Sequence, residues 1–127
     1  MDILVVDDKK SVRDSVSNLL TPFGYTVSTA VNGLDGLEKA QQAEYQLYIV
    51  DHLMPLMNGV TLSKNLKQTA FCENTPILFM TTQDKSSVES LAEFPLFDDL
   101  ITKPLNEDEF TAAVKRLIKS APSKIAL

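Results

Sequence analysis

The chain has 127 residues, enough for one domain with a real core. Its 44% hydrophobic and 23% charged residues are those of a folded globular protein and exclude a disordered chain. A net charge of −5 argues against nucleic acid or an anionic membrane as a direct partner.

The start, Met1-Asp2-Ile3-Leu4, lacks the basic and long apolar regions of a signal peptide, and no stretch has membrane-spanning length. A lone cysteine, Cys72, makes no internal disulfide, which fits a reducing cytoplasm.

In chain order, Ile3-Leu4-Val5-Val6 is continuously apolar and stops at Asp7-Asp8. It reads as a strand buried on both faces, as parallel sheets require. Val12, Val16, Leu19, Leu20 and Phe23 recur at helical spacing, and Gly24 closes that helix. Residues 25–29 read as a second strand. Asn32 caps a helix carrying Leu34, Leu37 and Ala40 on one side. Leu47 to Val50 is a third strand that ends at Asp51, and Pro55 and Asn58-Gly59 mark the loop after it. A short helix follows from Val60 to Lys67. Ile77 to Met80 is a fourth strand, ending at Thr81-Thr82. Asp84 caps a weak helix through Val88, Leu91 and Ala92. Leu100-Ile101-Thr102 is a fifth strand, followed by Lys103-Pro104. Asn106 and Glu109 form a capping pair for a last helix, whose stripe of Phe110, Ala113, Val114, Leu117 and Ile118 is core. After Ser120 the composition turns to that of a frayed tail or the start of a linker.

Five strands alternating with five helices imply a doubly wound parallel sheet between two helical layers. In such a sheet the strand ends share one edge. Asp7-Asp8, Asp51, Thr81 and Lys103 therefore converge, although they are far apart in the chain. Three carboxylates in one cleft repel one another and call for a cation. Hard oxygen ligands suit Mg²⁺, and an added lysine and hydroxyl suit a phosphoryl group, with one carboxylate as nucleophile.

These residues resemble the receiver domain of two-component response regulators. The likeness rests on Val6-Asp7-Asp8, Asp51 with Met54-Pro55 and Gly59, Thr81, and Lys103-Pro104, and covers about residues 2–119. It implies a flavodoxin-like sheet of order 2-1-3-4-5 and a receiver domain over residues 1–120, with residues 121–127 as tail or linker start. It also implies that Asp51 accepts a phosphoryl group from a histidine kinase or histidine phosphotransfer protein. Asp8 would ligate Mg²⁺ directly, Asp7 mostly through water, and Asp51 and the Leu53 carbonyl would complete the set. Thr81 would bind a phosphate oxygen. Lys103, after a peptide bond that is usually cis in the family, would pair with the phosphate or, before it, with Asp51. The output would pass to an effector domain or protein.

Blander readings exist for each residue alone. Asp7-Asp8 can be a solvated turn, Thr81 a structural hydroxyl and Lys103 a surface charge. His52 reads as a pocket-rim residue, Lys9-Lys10 as solvated charge, and Cys72 as an unactivated thiol in a loop. There are four departures from the family pattern. Leu100 stands where an aromatic ring is usual, and Pro95-Leu96-Phe97 where small residues are common. Thr82 follows the threonine, and Lys9 replaces a frequent acid. A phosphate-independent interaction module with the same fold is therefore a second reading. A hydrolase with an aspartyl-phosphate intermediate fits less well, because Leu53 stands where such enzymes carry a second acid. A flavin-binding domain fits least, because the acids repel phosphate.

Overall fold

The computed structural model describes residues 2–120; the expected tail at 121–127 lies outside the described residues. The elements run β1 (Asp2–Val6), α1 (Lys10–Leu20), β2 (Thr26–Ala30), α2 (Gly33–Gln42), β3 (Leu47–Asp51), α3 (Gly59–Lys67), β4 (Ile77–Thr81), α4 (Lys85–Glu89), β5 (Asp99–Thr102) and α5 (Glu107–Ser120). Short 3-10 turns at Thr21–Phe23 and Phe94–Leu96 are each built around a proline. All strand pairs are parallel, in the order β2-β1-β3-β4-β5. The fold is the three-layer arrangement that the residue pattern implied, with the flavodoxin-like (βα)5 strand order that the resemblance implied.

Side chains alternate across each strand, so the sheet divides the core in two. Leu4, Val6, Tyr48, Val50, Ile77, Phe79 and Leu100 pack on one face, against α2, α3, α4 and the Phe94–Leu96 turn. Ile3, Val5, Leu47, Ile49, Leu78, Met80 and Ile101 pack on the other, against α1 and α5. The central strands β3 and β4 are buried along their whole length, which explains their unbroken apolar runs.

Local signals set the ends. Gly24 takes φ +87°, the left-handed conformation that stops the α1 segment. Asn32, Asn58 and Asn106 each accept a backbone N–H in the first turn of their helices.

Two expectations need correction. Leu34 does not share the buried side of α2; it is 49% exposed. The helix instead meets the sheet through Gly36 and the loop after β3 through Gly33. A Cβ at Gly36 would lie 2.9 Å from Val6, and one at Gly33 would overlap the Met57 carbonyl at 2.2 Å. That close approach turns Leu34 outward. The fourth helix also stops earlier than its pattern, at Glu89, and the Asp84 side chain makes no capping bond. Leu91 still packs on the core, from the turn that follows.

Candidate functional site

Four strand ends deliver the site. Asp7 follows β1 and is fully buried. Its Oδ1 accepts the Lys9 backbone N–H at 2.9 Å, and its backbone carbonyl accepts from the Arg13 guanidinium at 2.9 Å. Asp51 is the last residue of β3 and is 4% exposed. Its carbonyl is pressed by the start of α3: a Cβ at Gly59 would lie 2.1 Å from it, so only glycine fits. Asn58 and Gly59 thus do more than mark a loop, since the first caps α3 and the second seats it on the strand end.

Lys103 follows β5 through a cis Lys103–Pro104 peptide bond. Its Nζ lies 2.8 Å from Asp51 Oδ1 and 2.9 Å from Asp7 Oδ2. One ammonium therefore bridges two buried carboxylates. Asp8, with a side chain 28% exposed, stands at the mouth, 3.7 Å from Lys9 Nζ. Carboxylate oxygens of Asp7, Asp8 and Asp51 all come within 4.8 Å of one another. Hard oxygen donors at that spacing fit a small divalent cation, and their shared negative charge favours one.

The charges are tuned by burial. Desolvation and the charge on Asp7 push the Asp51 carboxyl above the usual carboxylate range, although Lys103 and Lys9 oppose this. Burial works against the Lys103 charge, but its hydrogen bonds to Asp51 and Asp7 win and raise its pKa. The ammonium is fixed in its charged form.

Thr81 ends β4, next to Asp51, and is fully buried. Its hydroxyl turns away from the carboxylates. It accepts the Gln83 backbone N–H at 3.0 Å and lies 2.9 Å from His52 Nδ1. His52 is thus half-buried against Thr81 and the Phe79 ring, and is more than the pocket-rim residue its loop position suggested. Strand alternation could have revealed this. Tyr48, Val50 and His52 share one face, as do Ile77, Phe79 and Thr81, whereas Asp7 and Asp51 follow the opposite face.

Leu53, two residues past Asp51, is 54% exposed in the β3–α3 loop. Lys9 and Lys10 are exposed, and Lys10 pairs with Asp14 at 2.7 Å, as solvated charges do. Cys72 is in a loop but fully buried, with its thiol 3.5 Å from the Ala40 carbonyl.

The fold and this carboxylate–lysine cleft at the carboxyl edge of the sheet define a receiver domain, and the chain belongs to the response regulator receiver family, a class of phosphorelay signalling domains. The family model described as "Response regulator receiver domain" matches residues 3–115. Among curated proteins, the chain is 35% identical over 119 residues to the transcriptional regulatory protein DltR of Streptococcus agalactiae, covering 91% of this chain and 50% of DltR. It is 27% identical to the protein PilG of Pseudomonas aeruginosa, over 94% of this chain and 89% of PilG. The chain spans about half the length of most of the curated relatives it matches. Among solved structures, Vibrio cholerae chemotaxis protein CheY4 superposes with a TM-score of 0.84 at 32% identity, covering 91% of this chain and 97% of that one. The response regulator TrrA of Thermotoga maritima, solved in complex with Mg²⁺-BeF, gives 0.83 at 30% identity with the same coverage.

Proposed function

We propose that Asp51 is the phosphoacceptor of a Mg²⁺-dependent switch. The donor is the phosphohistidine of a sensor histidine kinase or histidine phosphotransfer protein. The new P–O bond to Asp51 forms as the donor's P–N bond breaks, and the histidine leaves with the electron pair. The observation that carries this reading is the Asp51 carboxylate at a strand end, 2.8 Å from Lys103 and among two further acids.

Asp7, Asp8, Asp51 and the Leu53 carbonyl are the residues that would hold Mg²⁺. When bound, the ion offsets the negative charge of the incoming phosphoryl group. Lys103 moves its contact from the Asp51 carboxylate to the phosphate, already charged and already in reach. Thr81 turns its hydroxyl to a phosphate oxygen. The modification adds about 1.5 to 2 negative charges and strong acceptors, which favour one of two packings around β4 and β5. The domain supplies the metal site and the nucleophile, and acts on no other substrate. Water later attacks the acyl phosphate and resets the switch.

A shallow groove between α1 and the loop after β5, lined by Ser11, Val12, Ser15, Pro104 and Leu105, runs up to Lys103 and gives a donor an approach. The receiver unit spans residues 1–120, and residues 121–127 are a tail or lead to an effector domain. Coverage of half of DltR is consistent with such an attachment. Membership of the receiver family supports a cytoplasmic location.

Incubation with Mg²⁺ and acetyl phosphate tests the proposal. Intact mass should rise by one phosphoryl group, and the rise should vanish in Asp51→Asn. No rise in the native chain would favour the phosphate-independent module, for which Leu100 in place of an aromatic residue speaks.

A further inference from the structure

The Thr81 hydroxyl has one proton to give. Among the described residues it makes two hydrogen bonds, to the Gln83 N–H at 3.0 Å and to His52 Nδ1 at 2.9 Å. A peptide N–H can only donate, so the hydroxyl proton is left for Nδ1, which in the Nε2–H tautomer accepts it through its lone pair. The His52 backbone is fixed on both sides. Its N–H donates to the Met80 carbonyl at 2.9 Å, and its carbonyl accepts from the Gly59 N–H at 2.8 Å. Only its side chain is left to turn.

The other side of that ring meets an aromatic track. The His52 and Phe79 centroids are 5.1 Å apart, and Phe79 stacks on Phe97 at 3.9 Å with planes 10° apart. Phe97 in turn meets Phe94 edge-on at 6.4 Å, in the turn after α4. Leu100, which pairs with Phe79 across β4 and β5, is buried in the same cluster and brings no ring.

We propose that His52 is a positioning residue that reads Thr81: it holds the hydroxyl while Asp51 is unmodified and, once released, repacks against Phe79 and so shifts Phe97 and the Phe94–Leu96 turn. This rests on the reading of Asp51 and Thr81 given above. One hydroxyl donates to one acceptor at a time, so a phosphoryl oxygen and Nδ1 compete for the same proton. In a close-packed interior a displaced ring must be accommodated by its neighbours. The track thereby replaces the aromatic side chain missing at position 100.

Two substitutions separate the bond from the ring. His52→Asn keeps an acceptor near Nδ1 and removes the ring; His52→Phe keeps a ring and removes the acceptor. The probe is Mg²⁺ with beryllium fluoride, a stable substitute for a phosphoryl group, followed by NMR of the Thr81 methyl and the Phe79, Phe94 and Phe97 rings. In the native chain both sets of signals should move. In His52→Asn the Thr81 signal should move while the ring signals stay. In His52→Phe the half-saturating beryllium fluoride concentration should fall about two- to tenfold, the factor that one net hydrogen bond supplies. Ring signals that move in His52→Asn as in the native chain, or an unchanged half-saturation in His52→Phe, overturn the proposal and leave the Asp51 reading intact. A native chain whose Thr81 signal ignores the probe overturns both. Nitrogen shifts of the native imidazole give a check without substitution: an unprotonated Nδ1 supports the bond, and a protonated one defeats it.

Discussion

Lys103 is held by two acids that would otherwise repel one another, and each has little water to turn to. Replacing it by Met leaves Asp7 and Asp51 buried without their counter-charge. Without divalent ions, Lys103→Met should lower the unfolding free energy by about 3 kcal/mol, as breaking a buried pair does. Urea titration measures this, and Mg²⁺ should restore part of the loss. The Lys103 pKa is raised from 10.5 in the folded state. Its contribution is therefore complete below that ordinary value and is lost as pH rises through the folded one. The gap between native and Lys103→Met stability should narrow over that alkaline range; a gap independent of pH would contradict the assignment. Leu53 and Gln83 are exposed, and on the reading proposed above they would flank the path of the resetting water. Leu53→Asn and Gln83→Glu should change the lifetime of phosphorylated Asp51 several-fold, measured by the decay of the phosphorylated mass. Asp7, Asp51 and Lys103 were legible as strand-end residues because apolar runs stop at them. The His52–Thr81 bond was not, since a lone histidine in a loop carries no period of its own; its face becomes visible only when β3 is extended one residue past Asp51.

At the scale of the element, the join between β3 and α3 fixes Asp51. Gly59 lets the first turn of α3 rest on the Asp51 carbonyl, and a methyl group there would also come within 3.0 Å of Phe79. Gly59→Ala should cost about 1–3 kcal/mol, as overpacking does, because neither backbone nor ring can give way cheaply. It should also weaken Mg²⁺ binding by shifting Asp51. Calorimetry and metal titration of the same variant test both, and a destabilised chain with native metal affinity would show that the join supports the strand alone. Helix starts were legible as asparagine caps at Asn32 and Asn106, whereas Asn58, read as a loop marker, also caps its helix. The length of α4 was not legible. Val88 and Leu91 keep helical spacing, but the chain leaves the helix at Ser90 and reaches the Pro95 turn with Leu91 still packed inward. Periodicity reports which side chains are buried, and a non-helical turn buried the same ones. Leu34 failed for the opposite reason, since glycine contacts leave no apolar trace in a sequence.

For the whole molecule, the proposed metal binding would be linked to folding, because the carboxylates come together only in the folded chain. Mg²⁺ at about a hundred times its dissociation constant should add about 2.7 kcal/mol of stability. The melting temperature should climb with Mg²⁺ concentration, and the climb should be smaller in Asp8→Asn. Acidification should weaken the effect at a pH above the ordinary carboxylate range, because Asp51 takes up its proton early. A melting temperature indifferent to Mg²⁺ would remove the metal from the scheme. The parallel sheet between two helical layers followed from unbroken apolar strands alternating with amphipathic helices, a signal strong enough to survive errors at individual helix ends; the strand order came from the family resemblance. The division of the core has one more consequence. The ionic cluster belongs to the α1–α5 side of the sheet, and the histidine–threonine bond to the α3–α4 side. A donor seated over the first and a listener seated over the second would touch opposite walls of the molecule. On the reading proposed above, neither would have to leave before the other arrived, and a message could be delivered and collected in a single ternary assembly.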